Sequence, residues 1–284
     1  MGEDVLKDSP NKIYAKDLAA HDWYRFVLSF PPHLVRQYLE RFATEGGTRV
    51  LDPFCGTGTT LVECKKLGIE SVGVEAHPMS HFASKVKVDW DVDPEGLLEH
   101  AEGVAREARL ELSASGIDDD RVYDEGSLFG AWAGEENLFR TLPSEGFGLL
   151  LRGSISPLPL HKTLVLLDHL KRGADERYSG HERLALAKAL VSSIGNLRFG
   201  PEVGVGPAKP DAPVVFPWLA NVGKMAGDLR VLRDARDVPC AVRHADSRRL
   251  LDVLGPDSID AFITSPPTPT RKTTRARPAS NRSC

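Results

Sequence analysis

Apolar positions along the chain fall into short runs separated by glycine and proline turns, which predicts alternating strands and helices. Residues 12–45 have a helical pattern, with apolar positions three and four residues apart and a break at Phe30-Pro31-Pro32. The next segments predict a strand over 48–52, a helix over 59–67, a strand over 71–75 and a helix over 79–86. This order is that of a βαβ unit, so the predicted fold class is α/β.

The pattern changes in the middle of the chain, where helical periodicity predominates. We predict helices over 97–112, 160–171, 182–194 and 217–234, with a Gly- and Pro-rich loop over 196–215. No alternation typical of strands recurs there, so this part is interpreted as a mostly helical insertion. Strand patterns resume at 238–245 and 259–264. We therefore divide the chain into N-terminal helices with the first half of the sheet (1–93), the insertion (94–235), the resumed sheet (236–267) and a tail (268–284).

Composition places the chain among ordinary globular proteins. It has 284 residues, of which 41% are hydrophobic and 27% charged, and its mean hydropathy is −0.24. These values exclude a fibrous or fully disordered chain. No apolar run approaches the ~18 residues that a membrane span needs, and the acidic, polar N-terminus is unlike a signal peptide. Without a disulfide framework or a Cys/His cluster, we expect a cytoplasmic protein that binds neither a membrane nor a metal.

The candidate chemistry begins where the first strand meets its helix, at Asp52-Pro53-Phe54-Cys55-Gly56-Thr57-Gly58-Thr59. Glycines at such a turn let a ligand approach the backbone, and the helix N-terminus offers free N–H groups. Glu75 ends the second strand, 19 residues after Gly56. A carboxylate at that place accepts the hydroxyls of an adenosine ribose. We therefore predict that residues 52–59 and Glu75 bind a nucleoside cofactor; the alternative is a structural turn.

Two features separate this loop from other nucleotide sites. Leu61 stands where a dinucleotide fingerprint has its third glycine, and no Gly-Lys-Ser/Thr of a P-loop follows. Asp52 would repel a pyrophosphate but suits a cofactor with a positively charged amino-acid end, which favours S-adenosylmethionine over NAD. Asp246 is a third acid at a strand end. It either accepts a hydrogen bond from the adenine amino group of that cofactor or caps the helix that follows.

A rigid turn follows the last predicted strand, at Thr264-Ser265-Pro266-Pro267. Two prolines prevent a helix from continuing, so a polar oxygen and a backbone carbonyl remain available to hold an exocyclic amine. Such an amine attacks a sulfonium methyl directly, and positioning supplies most of the rate. Ser265, Pro266 and Pro267 are therefore the predicted catalytic residues; the alternative is a plain turn at the end of a strand.

Together these motifs resemble those of the amino-group DNA methyltransferases, which modify cytosine N4 or adenine N6. DPFCGTGTT, SVGVE and TSPP are similar to three motifs of that family, and residues 21–39 resemble the N-terminal motif that helps close its cofactor pocket. Trp23 and Phe30 of that segment are interpreted as core or pocket wall.

The resemblance implies S-adenosylmethionine as cofactor, double-stranded DNA as partner and a role in restriction–modification. It also implies a Rossmann-like methyltransferase sheet, of which this chain carries the first four strands, and makes the insertion a candidate target-recognition region. Related tetrads also serve RNA base methyltransferases, which stay an alternative.

The tail departs from the family. Residues 268–284 hold five Lys or Arg and no acid, so the net charge is −9 over residues 1–267 against −4 for the whole chain. Thr268 stands where the family has an aromatic residue that stacks on the flipped base. If one T was lost after the Pro267 codon, the tail reads back as YPNEKDYTRATRLESVL, which restores a tyrosine there. We therefore expect a frameshifted, truncated chain with impaired methylation; a non-catalytic nucleic-acid-binding remnant is the alternative.

Overall fold

The computed structural model describes residues 14–25, 29–42, 47–120, 138–149, 152–199 and 203–265. Two single-turn 3-10 helices, Ala15–Asp17 and His21–Trp23, precede α1 (Pro32–Phe42). The continuous helix begins at Pro32 because proline, which lacks an N–H, suits the first turn of a helix. The first βαβ unit then follows the predicted order, as β1 (Arg49–Asp52), α2 (Thr59–Lys66), β2 (Glu70–Glu75) and α3 (Pro78–Lys87).

The insertion is mostly helical, as the periodicity predicts. Within its described residues, the α-helices are α4 (Pro94–Ala114), α5 (Ser144–Leu149), α6 (Pro157–Arg172), α7 (Ser179–Ala189) and α8 (Val215–Leu232). Asp93 caps α4 by accepting the N–H of Gly96 at 2.9 Å, with Pro94 at the first helical position. The helix predicted over 182–194 ends sooner, because residues 190–194 continue as a π-helix.

A short antiparallel hairpin lies in the Gly- and Pro-rich loop, where the sequence predicts no strand. It consists of β3 (Leu197–Phe199) and β4 (Val203–Val205). All three residues of β4 are exposed. Because neither face of β4 is buried, its sequence lacks the apolar and polar alternation by which a strand is recognised. The prediction that residues 94–235 contain no strand is therefore wrong for this loop.

Strands β5 (Cys240–His244) and β6 (Ala261–Phe262) complete a four-stranded parallel sheet in the order β5-β2-β1-β6. Leu51 of β1 lies opposite Val72 of β2 and Phe262 of β6, and Glu75 of β2 lies opposite His244 of β5. A 3-10 segment, Ser247–Asp252, stands between β5 and β6. A parallel sheet joined by helices confirms the predicted α/β class with a Rossmann-like sheet.

Apolar clusters cover both faces of the sheet, as a parallel sheet requires. On one face, β1 and β6 pack against α1 and α2 through Val35, Leu39, Val50, Cys64, Ala261 and Ile263. On the other face, Leu51, Val72 and Val74 lie under the chain segment around Leu250 and Ile259. A third cluster joins α2 and α3 to α4, α6, α7 and α8, with Trp23 buried in it. None of the described helices has both the length and the apolar composition that crossing a bilayer would take.

Candidate cofactor and catalytic site

The carboxyl ends of β1 and β6 form a crevice in the middle of the sheet. From β1 the chain crosses to β2 and then β5 on one side, whereas β6 lies on the other side of β1. Ligands of open parallel sheets bind at such a reversal, because the loops that leave the two neighbouring strands diverge there. Both predicted motifs reach this place, since residues 53–58 leave β1 and Ser265 follows β6.

A cleft of about 130 Å³ lies between these two segments. Its wall is formed by the glycine loop, the end of the N-terminal segment, α3 and the turn after β6, through Ser29, Phe30, Phe54, Cys55, Gly56, Thr57, Thr59, Ser80 and Ser265. The loop residues and Ser265 are predicted site residues, and Phe30 is a predicted pocket wall. Single serines such as Ser29 and Ser80 carry no local signal by which the sequence identifies them. Pro266, Pro267 and Thr268 lie outside the described residues.

Two glycines shape the loop. Gly56 and Gly58 have φ values of 53° and 85°, in the left-handed region that other residues rarely adopt. A Cβ on Gly58 would lie 3.0 Å from the Cβ of Ser84, so α3 packs directly against the loop. A Cβ on Gly56, in contrast, would meet no atom within 4 Å. The backbone at Gly56 thus faces open space in the cleft wall, which fits a ligand held close to the main chain.

Glu75 holds the loop from the end of β2. Its Oε2 accepts the N–H of Gly56 at 2.9 Å, and its Oε1 accepts the N–H of His77 at 2.7 Å. Each carboxylate oxygen has two lone pairs, so both oxygens remain able to accept a hydroxyl proton. Glu75 is not among the residues that line the cleft, and its contact with the ribose of a cofactor stays a prediction.

Asp52 lies beneath the loop and does not line the cleft. It is 1% exposed, and its Oδ2 accepts the Thr60 hydroxyl at 2.7 Å. Its Oδ1 accepts the Thr264 hydroxyl at 2.7 Å and the N–H of Phe54 at 3.1 Å. Burial raises the pKa of Asp52, and these hydrogen bonds oppose the rise. The carboxyl group thus ties α2, the loop and the turn after β6 together, while its contact with a cofactor stays a prediction.

Asp246 caps the 3-10 segment that follows β5. Its Oδ1 accepts the N–H of Arg248 at 2.9 Å, and its carboxylate pairs with the Arg248 guanidinium. The hydrogen bonds from Arg248 lower the pKa of Asp246 to about 2. The helix-cap interpretation therefore describes what this side chain does in the structure. Asp246 does not line the cleft, and its bond to an adenine stays a prediction.

Cys55 lines the cleft but is no nucleophile in this setting. It is 5% exposed, and burial raises the pKa of its thiol. A neutral thiol is a poor nucleophile, because the thiolate is the reactive form. Within the described ranges, no group of three or more His, Cys, Asp or Glu side chains is arranged to hold a metal ion.

A buried ionic cluster lies behind the loop, and it was not predicted from the sequence. Glu63 of α2 is 0% exposed and contacts the imidazole of His21 at 2.7 Å and the Nε of Arg36 at 2.9 Å. Arg36 also donates to Asp17 at 2.6 Å. Burial raises the pKa of Glu63, but the hydrogen bond from His21 and the charges of Lys66 and Arg36 outweigh it and keep that pKa low. Burial lowers the pKa of His21 to about 4, so this imidazole is neutral at pH 7.

Known proteins match parts of the chain. Residues 7–84 match the family model described as DNA methylase. The chain is 40% identical over 72 residues to the type II methyltransferase M.BsoBI of Geobacillus stearothermophilus, which covers 25% of this chain and 14% of that protein. It is 37% identical over 68 residues to the type II methyltransferase M.MjaII of Methanocaldococcus jannaschii, which covers 24% and 13%. It is 28% identical over 171 residues to the tRNA (guanine(10)-N2)-dimethyltransferase of Methanothermobacter thermautotrophicus, which covers 56% and 45%. No solved structure matches the chain significantly.

The family match falls on the N-terminal motifs of the chain. The aligned part of this chain spans about one seventh of the length of the two type II methyltransferases. The family match contains the glycine loop and Glu75, which carry most of the resemblance seen in the sequence. That resemblance is confirmed for this part of the molecule. Over residues 7–84, the chain is therefore similar to DNA methylases, and the two type II methyltransferases support an amino-methyltransferase family.

Proposed function

We propose that the chain is an S-adenosylmethionine-dependent methyltransferase that acts in the cytoplasm on cytosine N4 or adenine N6 of double-stranded DNA. The observation that carries the proposal is the 2.7 Å hydrogen bond from the Thr264 hydroxyl to Asp52. It seats the turn after β6 against the glycine loop, although the two residues are 212 positions apart. Ser265 then lines the same cleft as Gly56 and Thr57. A predicted catalytic turn and a predicted cofactor loop therefore share one crevice.

Each site residue has a distinct part in the proposed reaction. Glu75 accepts the ribose hydroxyls, and Asp52 fixes the loop and the catalytic turn from beneath. Ser265, with Pro266 and Pro267, holds the exocyclic amine so that its nitrogen lone pair faces the cleft. S-adenosylmethionine, when bound, supplies an electrophilic methyl group on sulfur. The amine nitrogen would gain the methyl carbon as the carbon–sulfur bond breaks, neutral S-adenosylhomocysteine would leave, and the methylated amine would lose one proton to solvent. The protein therefore needs chiefly to orient the amine.

A second candidate function is methylation of an RNA base. It is favoured by the match to a tRNA dimethyltransferase, which extends over 171 residues and so reaches well beyond the loop and Glu75. An exocyclic amine of guanine in tRNA presents the same reacting group as the amines of cytosine and adenine. The same cleft therefore serves either substrate, and the nucleic acid that receives the methyl group distinguishes the two functions.

Transfer of a tritiated methyl group tests the proposal on unmethylated double-stranded DNA and on a tRNA transcript. Ser265→Ala should reduce transfer at least about tenfold, because the amine loses one of its acceptors. Glu75→Gln should weaken the binding of S-adenosylhomocysteine, measured by calorimetry. Ser113→Ala, on the exposed face of α4, is the matched control and should change neither property. Label on tRNA alone would favour the second function, and absence of both transfer and cofactor binding would overturn the proposal.

We further propose that the tail limits the rate of transfer. Thr268 offers no ring on which an extruded base stacks, whereas the read-back sequence restores a tyrosine at that position. A chain in which residues 268–284 are replaced by YPNEKDYTRATRLESVL should therefore transfer methyl groups faster than the chain as it stands. Equal rates for the two chains would contradict this proposal.

A further inference from the structure

The segment 17–23, here called the strap, contacts both the first half of the sheet and the insertion. On one side, its His21 contacts Glu63 of α2 at 2.7 Å. On the other side, the indole N–H of Trp23 donates to Oδ2 of Asp228 in α8 at 2.7 Å, and Asp22 pairs with Lys188 of α7. The strap is thus clamped between the helix that follows the glycine loop and two helices of the insertion.

Asp228 fixes an unfavourable backbone conformation in the strap. Its Oδ2 accepts a second hydrogen bond, from the N–H of Ala20, at 3.2 Å. Ala20 is 0% exposed and has a φ of 62°, in the left-handed region that alanine rarely adopts. Such a conformation is strained and persists only where the surroundings hold it. One carboxylate oxygen on α8 therefore holds both the strained residue and the buried indole.

Five residues separate the strap from the wall of the cleft, and three of them, 26–28, lie outside the described part of the chain. Ser29 and Phe30 follow it along the chain, and both line the cleft beside the glycine loop. The Ser29 hydroxyl lies 3.4 Å from the Thr57 hydroxyl, so the wall contacts the loop itself. Because so few residues join the two, we expect a change in the position of the strap to shift this wall.

The seam between the strap and the insertion is not filled. A cavity of about 230 Å³ lies there, bordered by Leu18, Trp23, Lys188, Met225 and Asp228 among others. Closely packed interiors resist movement because every displacement creates a clash. At this seam the strap is held by the hydrogen bonds to Asp228 together with the packing of the buried Ala20 and Trp23.

We propose that Asp228, a residue of the insertion, is a positioning residue that determines where the wall of the cofactor cleft lies. It holds Ala20 and Trp23 of the strap, and the strap in turn determines the position of Ser29 and Phe30 in that wall. The proposal rests on the proposed function, because it takes the cleft to be the cofactor site. It assigns the insertion a second task besides target recognition, since one of its helices then determines how well the cofactor site is formed.

Calorimetric titration with S-adenosylhomocysteine tests the proposal. Asp228→Ala should weaken binding about tenfold, a change of about 1.4 kcal/mol. Asp228→Asn keeps an amide oxygen that accepts both hydrogen bonds, so it should restore most of the affinity. Asp234→Ala, just beyond α8 and exposed, is the matched control and should bind as the unaltered chain does. A purely structural role for Asp228 would lower the melting temperature but leave the affinity well below that temperature unchanged.

The outcomes separate this proposal from the one on which it rests. If the unaltered chain binds no S-adenosylhomocysteine, the proposed function falls, and this proposal with it. If the unaltered chain binds and Asp228→Ala binds equally well, only the positioning role is overturned. If Asp228→Ala does not fold, Trp23→Phe decides, because it keeps an aromatic side chain at this position and removes the indole donor to Asp228. That variant should bind about threefold more weakly, and equal affinity would overturn the proposal.

Discussion

Lys87 is a positive charge that the fold compensates poorly, and its replacement by methionine should stabilise the protein. The side chain is 1% exposed at the end of α3, and its ammonium group donates to the Tyr24 carbonyl at 3.4 Å, a long hydrogen bond. Burial, together with the charges of Lys66 and Arg25, lowers the pKa of Lys87 from 10.5 to about 7. The charged form is therefore strongly disfavoured in the folded protein.

The pKa values give the magnitude and the sign of this effect. Each pKa unit corresponds to 1.36 kcal/mol, so the drop to about 7 makes the charged form cost about 5 kcal/mol on folding. Between about pH 7 and 10.5, the unfolded chain binds a proton at Lys87 that the folded chain does not. The free energy of unfolding therefore rises with pH across this window. Below about pH 7, the folded protein bears the full cost of the charged lysine.

Lys87→Met removes the charge while keeping an unbranched side chain of similar length, which fills irregular spaces well. In guanidinium denaturation followed by circular dichroism, the variant should be more stable than the unaltered chain by several kcal/mol at pH 6, with ~5 kcal/mol as the upper limit. At pH 10 the gap should largely close, because the folded protein then holds a neutral amine at Lys87.

Lys171→Met, on the exposed side of α6, is the matched control. It should change stability by less than about 0.5 kcal/mol at either pH. A variant Lys87→Met that is no more stable at pH 6 would refute the reasoning. So would a gap of the same size at pH 6 and pH 10, because the effect would then not depend on the charge.

Three further outcomes follow from buried polar groups near the site. Glu63→Gln should lower the free energy of unfolding by about 3 kcal/mol in chemical denaturation at pH 7, because it breaks a buried ionic cluster, whereas a loss below 0.5 kcal/mol would show the cluster to be unimportant. Thr264→Val leaves Asp52 with one hydrogen bond fewer and should lower the free energy of unfolding by about 1–2 kcal/mol in the same measurement; an unchanged free energy of unfolding would contradict the presence of this bond. Cys55 should react with a thiol reagent at pH 8 only after unfolding, because burial raises its pKa; a label found by mass spectrometry on the peptide that contains Cys55, in the folded chain, would contradict this.

The first βαβ unit was predictable because several local signals coincide there. The apolar run of β1, the glycines at positions 56 and 58 and the acid at the end of β2 each constrain the backbone within a few residues. The burial of Asp52 beneath the loop was not predictable. It depends on Thr264, a residue far along the chain, whose hydroxyl reaches the carboxylate only after β6 pairs with β1.

The contacts of the strap lay beyond sequence reasoning for the same reason. Trp23 was correctly expected to be buried, since it is 2% exposed, but nothing near it indicates its partner on α8. The ionic cluster joins His21 to Glu63 across 42 residues, and neither residue differs locally from a surface side chain. Hairpin β3–β4 was not predicted for a different reason. Strand β4 is exposed on both faces, and such a strand has no apolar periodicity.

Among the described strands, β6 has a hydrogen-bonded neighbour on one side, and its Phe262 is 65% exposed. Backbone bonds from the amides of Asp260 and Ile263 to the carbonyls of Arg49 and Leu51 attach it to β1. A strand with so few contacts opens locally, at a free energy far below that of global unfolding. The amide of Ile263 should therefore exchange with deuterium faster than the amides of β2. Its exchange rate would measure how often the catalytic turn leaves the glycine loop, independently of how stable the rest of the protein is.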